Sequence, residues 1–298
     1  MRALLAGVTG LLLLVPVSLS AWGHDVHRFI TTRAIEGLPP ELKPFYTARS
    51  SFITEHAVDP DLWRVVNLRS ERGEEDPNHF LDLDGLDEAR PFAAVPRTWD
   101  AYVARYGVER ANRNGRLPWR TAEVYQLLVT KFRDVARGQQ GYAADNVAYL
   151  SAVLAHYVED AHVPFHAVTN YDGQLTNQRG IHSRFETELV MRNRATFKPA
   201  PVTIRPVGDI TEFVFARLVE SEGLVEAVLA ADRAAAEGRE FYDDGYFQAF
   251  AKGARAIAER RVAESASSVA SVIVAAWIEG GRPAMPVKTT PTPARIRR

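Results

Sequence analysis

The sequence predicts a single all-α domain, and three observations carry that prediction. Apolar residues recur at three- and four-residue steps through most of the chain, the period of a helix face. Strand-like alternation is nearly missing, being confined to 202–204. The 298 residues, 46% of them apolar, suffice for one sizeable core.

In chain order, Met1-Arg2 precedes an apolar run over 3–15, Pro16, and a small-residue stretch over 17–21. The run falls short of the ~20 residues that a membrane span requires, so 1–21 reads as a cleaved signal peptide. The protein is then secreted or periplasmic, with no stable anchor after cleavage. Ser18/Ser20 fits the small-x-small rule better than Leu19/Ala21, which leaves the cleavage point open. Helical periodicity marks 26–38, 119–135, 145–161, 210–230 and 246–278. In 145–161 the stripe is Val147, Leu150, Leu154, Tyr157, Val158 and Ala161. Residues 268–278 are apolar but too few to cross a bilayer, and read as buried helix. Stretches 66–78, 85–97 and 170–180 contain Gly and Pro and read as loops. The domain therefore runs over 22–281. Residues 282–298, with four prolines, five basic residues and no acid, read as a disordered tail.

Composition removes several chemistries. A net charge of −1 and a pI near 6.7 argue against a broad basic face for duplex nucleic acid. With no cysteine there is no disulfide, thiol catalysis or cysteine-ligated metal. Any metal must be held by His, Asp and Glu.

The eight histidines carry the functional signal. His156 and Asp160 lie four apart inside the strongest helix, and His182 and Glu186 repeat the spacing, so each pair shares a helix face. Imidazole and carboxylate are the ligands that zinc accepts when thiolate is absent, although one such pair alone is as well explained by a hydrogen bond. Context changes the odds. Asp160-Ala-His162-Val-Pro164-Phe-His166 adds two histidines where Pro164 turns the chain. Asn78-His79-Phe80-Leu-Asp82 adds another beside carboxylates, and Trp22-Gly-His24-Asp-Val-His27 adds two near the mature N-terminus. Such clustering on a helical scaffold points to a multi-metal centre in a bundle core. In Asp59-Pro60-Asp61, Pro60 fits the first helical position, making Asp59 the N-cap and freeing Asp61 to ligate. Arg64 follows three residues on.

These motifs, from Trp22 to Glu186, resemble those of the superfamily that joins single-strand-specific nucleases of the S-one/P-one type with bacterial zinc-dependent phospholipase C. The resemblance implies a multinuclear zinc site of three ions. One is held by Asp61, His79, His156 and Asp160, and a second by His166, His182 and Glu186. The third uses the amine and carbonyl of Trp22 as the first residue, the ring of His27, and Asp160 as a bridge. His162 falls on a supporting position, while His24 and His56 match no ligand. An activated water would attack a phosphodiester, oriented by Asp61, with Arg64 stabilising charge on the phosphoryl oxygens. Phe80 would stack on a base and Asp82 would meet its edge, so single-stranded nucleic acid is the expected substrate.

Three features depart from the nuclease pattern and keep phospholipid as the alternative: Glu186 in place of aspartate, a loop over 170–177 without Gly-Gly-Asn, and the lack of cysteines. A di-iron bundle would need two Glu-x-x-His motifs. Only Glu159-Asp-Ala-His162 fits, so that class fails. A non-catalytic zinc-binding protein remains a further alternative. The chain is expected to be a monomer.

Overall fold

The computed structural model describes residues 23–67, 75–138 and 140–287. Trp22, the expected signal sequence, most of the loop expected over 66–78, and residues 288–298 lie outside these. The regular structure of the described residues is helical, with no strand among them. The helices are α1 (His24–Glu36), α2 (Lys43–Ala48), α3 (Ser50–His56), α4 (Asp59–Asn67), α5 (Trp99–Tyr106), α6 (Val108–Asn114) and α7 (Leu117–Ala136). After them come α8 (Gln140–Asp160), α9 (Ile181–Ser183), α10 (Val190–Asn193), α11 (Ile210–Glu222), α12 (Val225–Ala236) and α13 (Asp244–Glu279).

Local chemistry sets several ends. Asp209 caps α11 by accepting from the Glu212 N–H at 2.9 Å, and Asp243 caps α13 by accepting from Tyr246 N–H at 2.8 Å. Pro164 ends α8 by forcing Val163 into an extended conformation (φ −85°, ψ 121°). The α8 helix is central: α1, α3, α7 and α13 pack around it. Its stripe residues Val147, Leu154, Tyr157, Val158 and Ala161 are buried. Although α13 is long and apolar enough to pass for a membrane span, most of the apolar stretch is buried inside the fold.

Three expectations need correction. Residues 202–204 form no strand, because no neighbouring strand offers a partner. Their N–H groups instead meet serines of α13: Thr203 N donates to Ser267 Oγ (3.2 Å) and Arg205 N to Ser271 Oγ (3.0 Å). Asp59 is not the cap of α4 but its first helical residue. The Val58 carbonyl takes the Leu62 N–H, and the Asp59 carboxylate is spent on His56 Nδ1 at 2.7 Å. Residues 282–287, expected within the disordered tail, are held against the fold. Met285 is buried, Trp277 Nε1 donates to Pro283 O, and Arg49 Nη1 donates to Pro286 O (3.1 Å).

Candidate metal centre

The segment 79–83 is threaded between two pieces of backbone. On one side, Leu81 N donates to His166 O and Leu83 N to Ala167 O; on the other, Asp82 N donates to Asn114 O and Leu117 N to Phe80 O. Gly115 makes the second approach possible, since a Cβ there would stand 2.1 Å from the Phe80 carbonyl oxygen. Its φ of +93° also favours glycine. The threading sets His79 beside the C-terminal end of α8 and fixes His166 through its Nδ1–H, which donates to His79 O at 2.5 Å.

Side chains from five parts of the chain converge on Asp160. His79 Nδ1 lies 2.9 Å from Asp160 Oδ2, and His156 Nε2 lies 3.3 Å from the same oxygen. His27 Nε2 lies 3.6 Å and His166 Nδ1 3.8 Å from Asp160 Oδ1. Asp61 Oδ1 stands 3.8 Å from His79 Nδ1 and 3.9 Å from His156 Nε2. Beyond His166, His182 Nε2 lies 3.0 Å from Glu186 Oε2. Three groups bring one ligand atom each within 4.8 Å of the others: His79–His156–Asp160, His166–His182–Glu186 and His27–Asp61–His156. The first two fall within the expected ligand sets. The third differs from expectation, since it joins His27 to Asp61 and His156. Trp22 lies outside the described residues.

The donor set fits a cation. His27 Nε2, Asp61 Oδ2, Asp160 Oδ1, both ring nitrogens of His182 and both oxygens of Glu186 are buried without a hydrogen-bond partner. Leaving such groups unpaired is costly, and a shared ion satisfies many at once. Ionisation points the same way. Burial, reinforced by Asp160 and Asp61, pushes the Glu186 carboxyl far above its usual range. Burial holds His27 well below its ordinary value, His166 down to about 3 and His182 to about 4. The imidazoles are therefore neutral and carry free lone pairs, as metal ligands must. His79 is the exception. Burial opposes its charge, but Asp160 and Glu75 lift it to about 9. Asp160, despite burial, is held well below the carboxylate range by His156, His166 and His79.

Several partners of the ligands were missed in the sequence. Glu75 accepts from Tyr157 OH (2.5 Å) and Asn78 Nδ2 (2.9 Å) and stands 3.3 Å from His79 Nε2. The four-residue spacing of Glu75 and His79 was a usable signal, hidden by the loop reading. Glu159 accepts the His27 Nδ1–H at 2.6 Å and the Thr31 hydroxyl at 2.7 Å. Such outer carboxylates fix which ring nitrogen faces a metal. Asp76 accepts from Arg64 Nε at 2.6 Å, while Arg64 Nη1 reaches Asp61 Oδ1 at 3.4 Å. The guanidinium charge is felt at both His182 and Glu186.

His162 does not stand behind the ligands. Its Nδ1–H donates to Val158 O (2.8 Å), and its Nε2 accepts from Ser268 Oγ (3.0 Å), pinning the end of α8 to α13. His24 is half-exposed at the rim, its Nε2 3.9 Å from Asp61 Oδ2. The His182–Glu186 pair lies not on a regular helix but across α9 and a π-helical turn, Arg184–Leu189. Phe80 is half-buried and stands outside the hydrophobic core cluster.

Asp82 is also half-buried. Burial and the neighbouring Asp84, which is held by Thr169 N and Oγ1, push its carboxyl up to about 7. A folded-state value above the ordinary ~3.9 means the folded chain keeps the proton longer than the unfolded one. The stability this proton supplies is full below about pH 4 and is lost as pH rises through 7. Asp82→Asn is therefore expected to raise the melting temperature relative to the parent at pH 8 and leave it unchanged at pH 4. Equal differences at both pH values would refute the assignment. No family model matches the chain, and no curated protein matches it.

Proposed function

We propose that the protein is an exported zinc-dependent phosphodiesterase that acts on single-stranded nucleic acid. The observation that carries the reading is the burial, around one carboxylate, of five histidines, Asp61 and Glu186, with unpartnered atoms on His27, His182, Asp61 and Glu186. Three zinc ions would be held, by Asp61, His79, His156 and Asp160, by His166, His182 and Glu186, and by Trp22 and His27 with Asp160 as bridge. The ions supply an acidified water and neutralise phosphoryl charge when bound.

The residues of the chain do the rest. Glu159, the Ala57 carbonyl and the His79 carbonyl each occupy Nδ1 of His27, His156 and His166, which turns Nε2 of each ring inward. Asp61 is buried with Oδ2 uncommitted, in place to orient a nucleophilic water. Arg64, braced by Asp76, presents its charge to the phosphoryl oxygens. Phe80 offers a ring face outside the core for base stacking, beside Asp82. Arg64→Ala should lower kcat by about 100-fold, as loss of one transition-state donor does, with metal content intact. Loss of metal in that variant would reduce Arg64 to a structural partner of Asp61.

Glu186, together with the altered loop over 170–177, favours a second reading, a phospholipase C. Leu62, Val65, Tyr171 and Leu175 are exposed on the helix that carries Asp61 and on that loop, as a lipid-facing enzyme would want. Metal analysis and hydrolysis of single-stranded DNA, RNA and phosphatidylcholine, assayed side by side, decide between the readings. Cleavage of the lipid alone would overturn the nuclease, and bound zinc with no turnover would leave a zinc-binding protein.

A further inference from the structure

The alternating pattern over 202–204 has a use although no strand forms there. Val202 and Ile204 pack against the hydrophobic core, while Pro201, Thr203 and Arg205 line a cavity of about 220 Å³. This is the period-two division of side chains that an extended segment gives. Two bonds pin the segment to α13, since Ser267 Oγ takes the Thr203 N–H and Ser271 Oγ the Arg205 N–H. Each hydroxyl also donates back along its own helix, to Ala263 O at 2.9 Å and to Ser267 O at 2.6 Å, and is thereby fixed. The facing wall is α11, whose Phe213, Arg217 and Glu220 share one face by their spacing.

The charges of this cavity suit an anion. Arg205, Arg217, Glu220 and Glu264 line it, and both carboxylates are committed. Glu220 accepts from Arg217 Nη2 at 2.7 Å. Glu264 accepts at 2.6 Å from the buried Arg261, whose Nη1 also reaches Glu220 at 3.5 Å. Three arginines against two glutamates leave one positive charge over. Donors are left over as well. Arg217 Nε is buried and meets no acceptor, although the side chain is 24% exposed. The same guanidinium is stacked 5.0 Å from the Phe213 ring centroid, which steadies its plane. Arg205 has no carboxylate partner among the described residues. A buried donor without an acceptor costs free energy that an entering oxyanion would recover.

We infer that this cavity binds a phosphate group, gripped by the guanidiniums of Arg205 and Arg217 with the Thr203 hydroxyl as a further donor. Guanidinium forks match the paired oxygens of a phosphate, and their bonds to it are charge-assisted. The group is a free phosphate ion or the end of a phosphomonoester, which present the same oxygens. No proposed ligand of the metal centre lines the cavity, so the inference does not rest on the proposed activity.

The test titrates the full ¹⁵N-labelled chain with inorganic phosphate and, separately, with a nucleoside monophosphate, following the Thr203 and Arg205 amide resonances. Saturable shifts of both are expected with phosphate. Arg217→Ala and Arg205→Ala should each weaken binding about 10-fold or more, as loss of a hydrogen bond to a charged group does, with metal content unchanged. Arg205 is exposed and serves no ion pair, so its variant keeps the test open should Arg217→Ala fail to fold. Arg205→Lys keeps the charge but not the fork, and should recover part of the affinity. Tighter binding of the nucleotide than of phosphate would identify an ester end as the ligand, and the reverse would identify the free ion. Shifts confined to the segments that carry His79, Asp160 and His182 would overturn the inference and leave the proposed function standing. Unchanged affinity in both alanine variants would overturn it too. Phosphate held here by a chain that binds no zinc would support the inference and remove the proposed function.

Discussion

Asp160→Ala should empty the centre. Metal affinity is expected to fall by more than the 10–100-fold that removal of an outer partner costs, and phosphodiester hydrolysis with it. The reason is geometric, because four histidine rings place a nitrogen within 3.8 Å of the two Asp160 oxygens. Asp160→Asn keeps the shape and removes the charge, and should fail nearly as badly, since a neutral amide is a poor ligand for a divalent ion. Equilibrium dialysis with metal analysis measures the effect, and circular dichroism establishes that the fold persists. A variant with near-normal metal content would show that the ligands do not share Asp160.

Asp232→Ala is expected to cost about 3–5 kcal/mol of folding stability, the penalty for stranding one member of a buried ion pair. The side chains of Arg184 and Asp232 are only 4% and 2% exposed. Asp232 accepts from Arg184 Nε at 3.1 Å and Nη2 at 2.9 Å, from Gln178 Nε2 at 2.7 Å, and from the Tyr246 hydroxyl. Removing it leaves an arginine charge buried against Tyr242 and Tyr246. Arg184 opens the π-helical turn that carries Glu186, so the same change should loosen the ion proposed at His182 and Glu186 before the other two. Urea unfolding gives the first number and a zinc titration the second. A loss below about 1 kcal/mol would mean that water reaches Arg184 and the pair is not buried in solution.

The helical fold was legible because its evidence is local. The stripe from Val147 to Ala161 and the His156–Asp160 spacing lie on one continuous helix, where three- and four-residue steps map directly onto a face. Other features of the site lack such a signal. Glu159 holds His27 from 132 residues away, and no spacing rule links the two. Glu75 and His79 do have helical spacing, but Pro77 and the short 3₁₀ turn made the segment read as loop. The cap of α4 slipped by one residue because Pro60 is tolerated anywhere in a first turn, where no N–H is needed. His162 was given a supporting position by the resemblance, and a motif match does not say what a ring touches once the helix has ended. The sequence likewise gives no hint that the His182–Glu186 pair crosses a π-helical turn.

The bond between His27 and Glu159 also bears on the order of assembly. A contact closing 132 residues cannot form until α1 and α8 have been brought together by the packing of everything between them. Contacts of such sequence separation form late, because their loop entropy must be met before any reward arrives. The pair His156 and Asp160, alone on a nascent α8, offers an ion only a weak two-point grip. Capture of the proposed metal would therefore belong to the end of folding, and the apolar packing of α7, α8 and α13, not the ion, would guide the chain there.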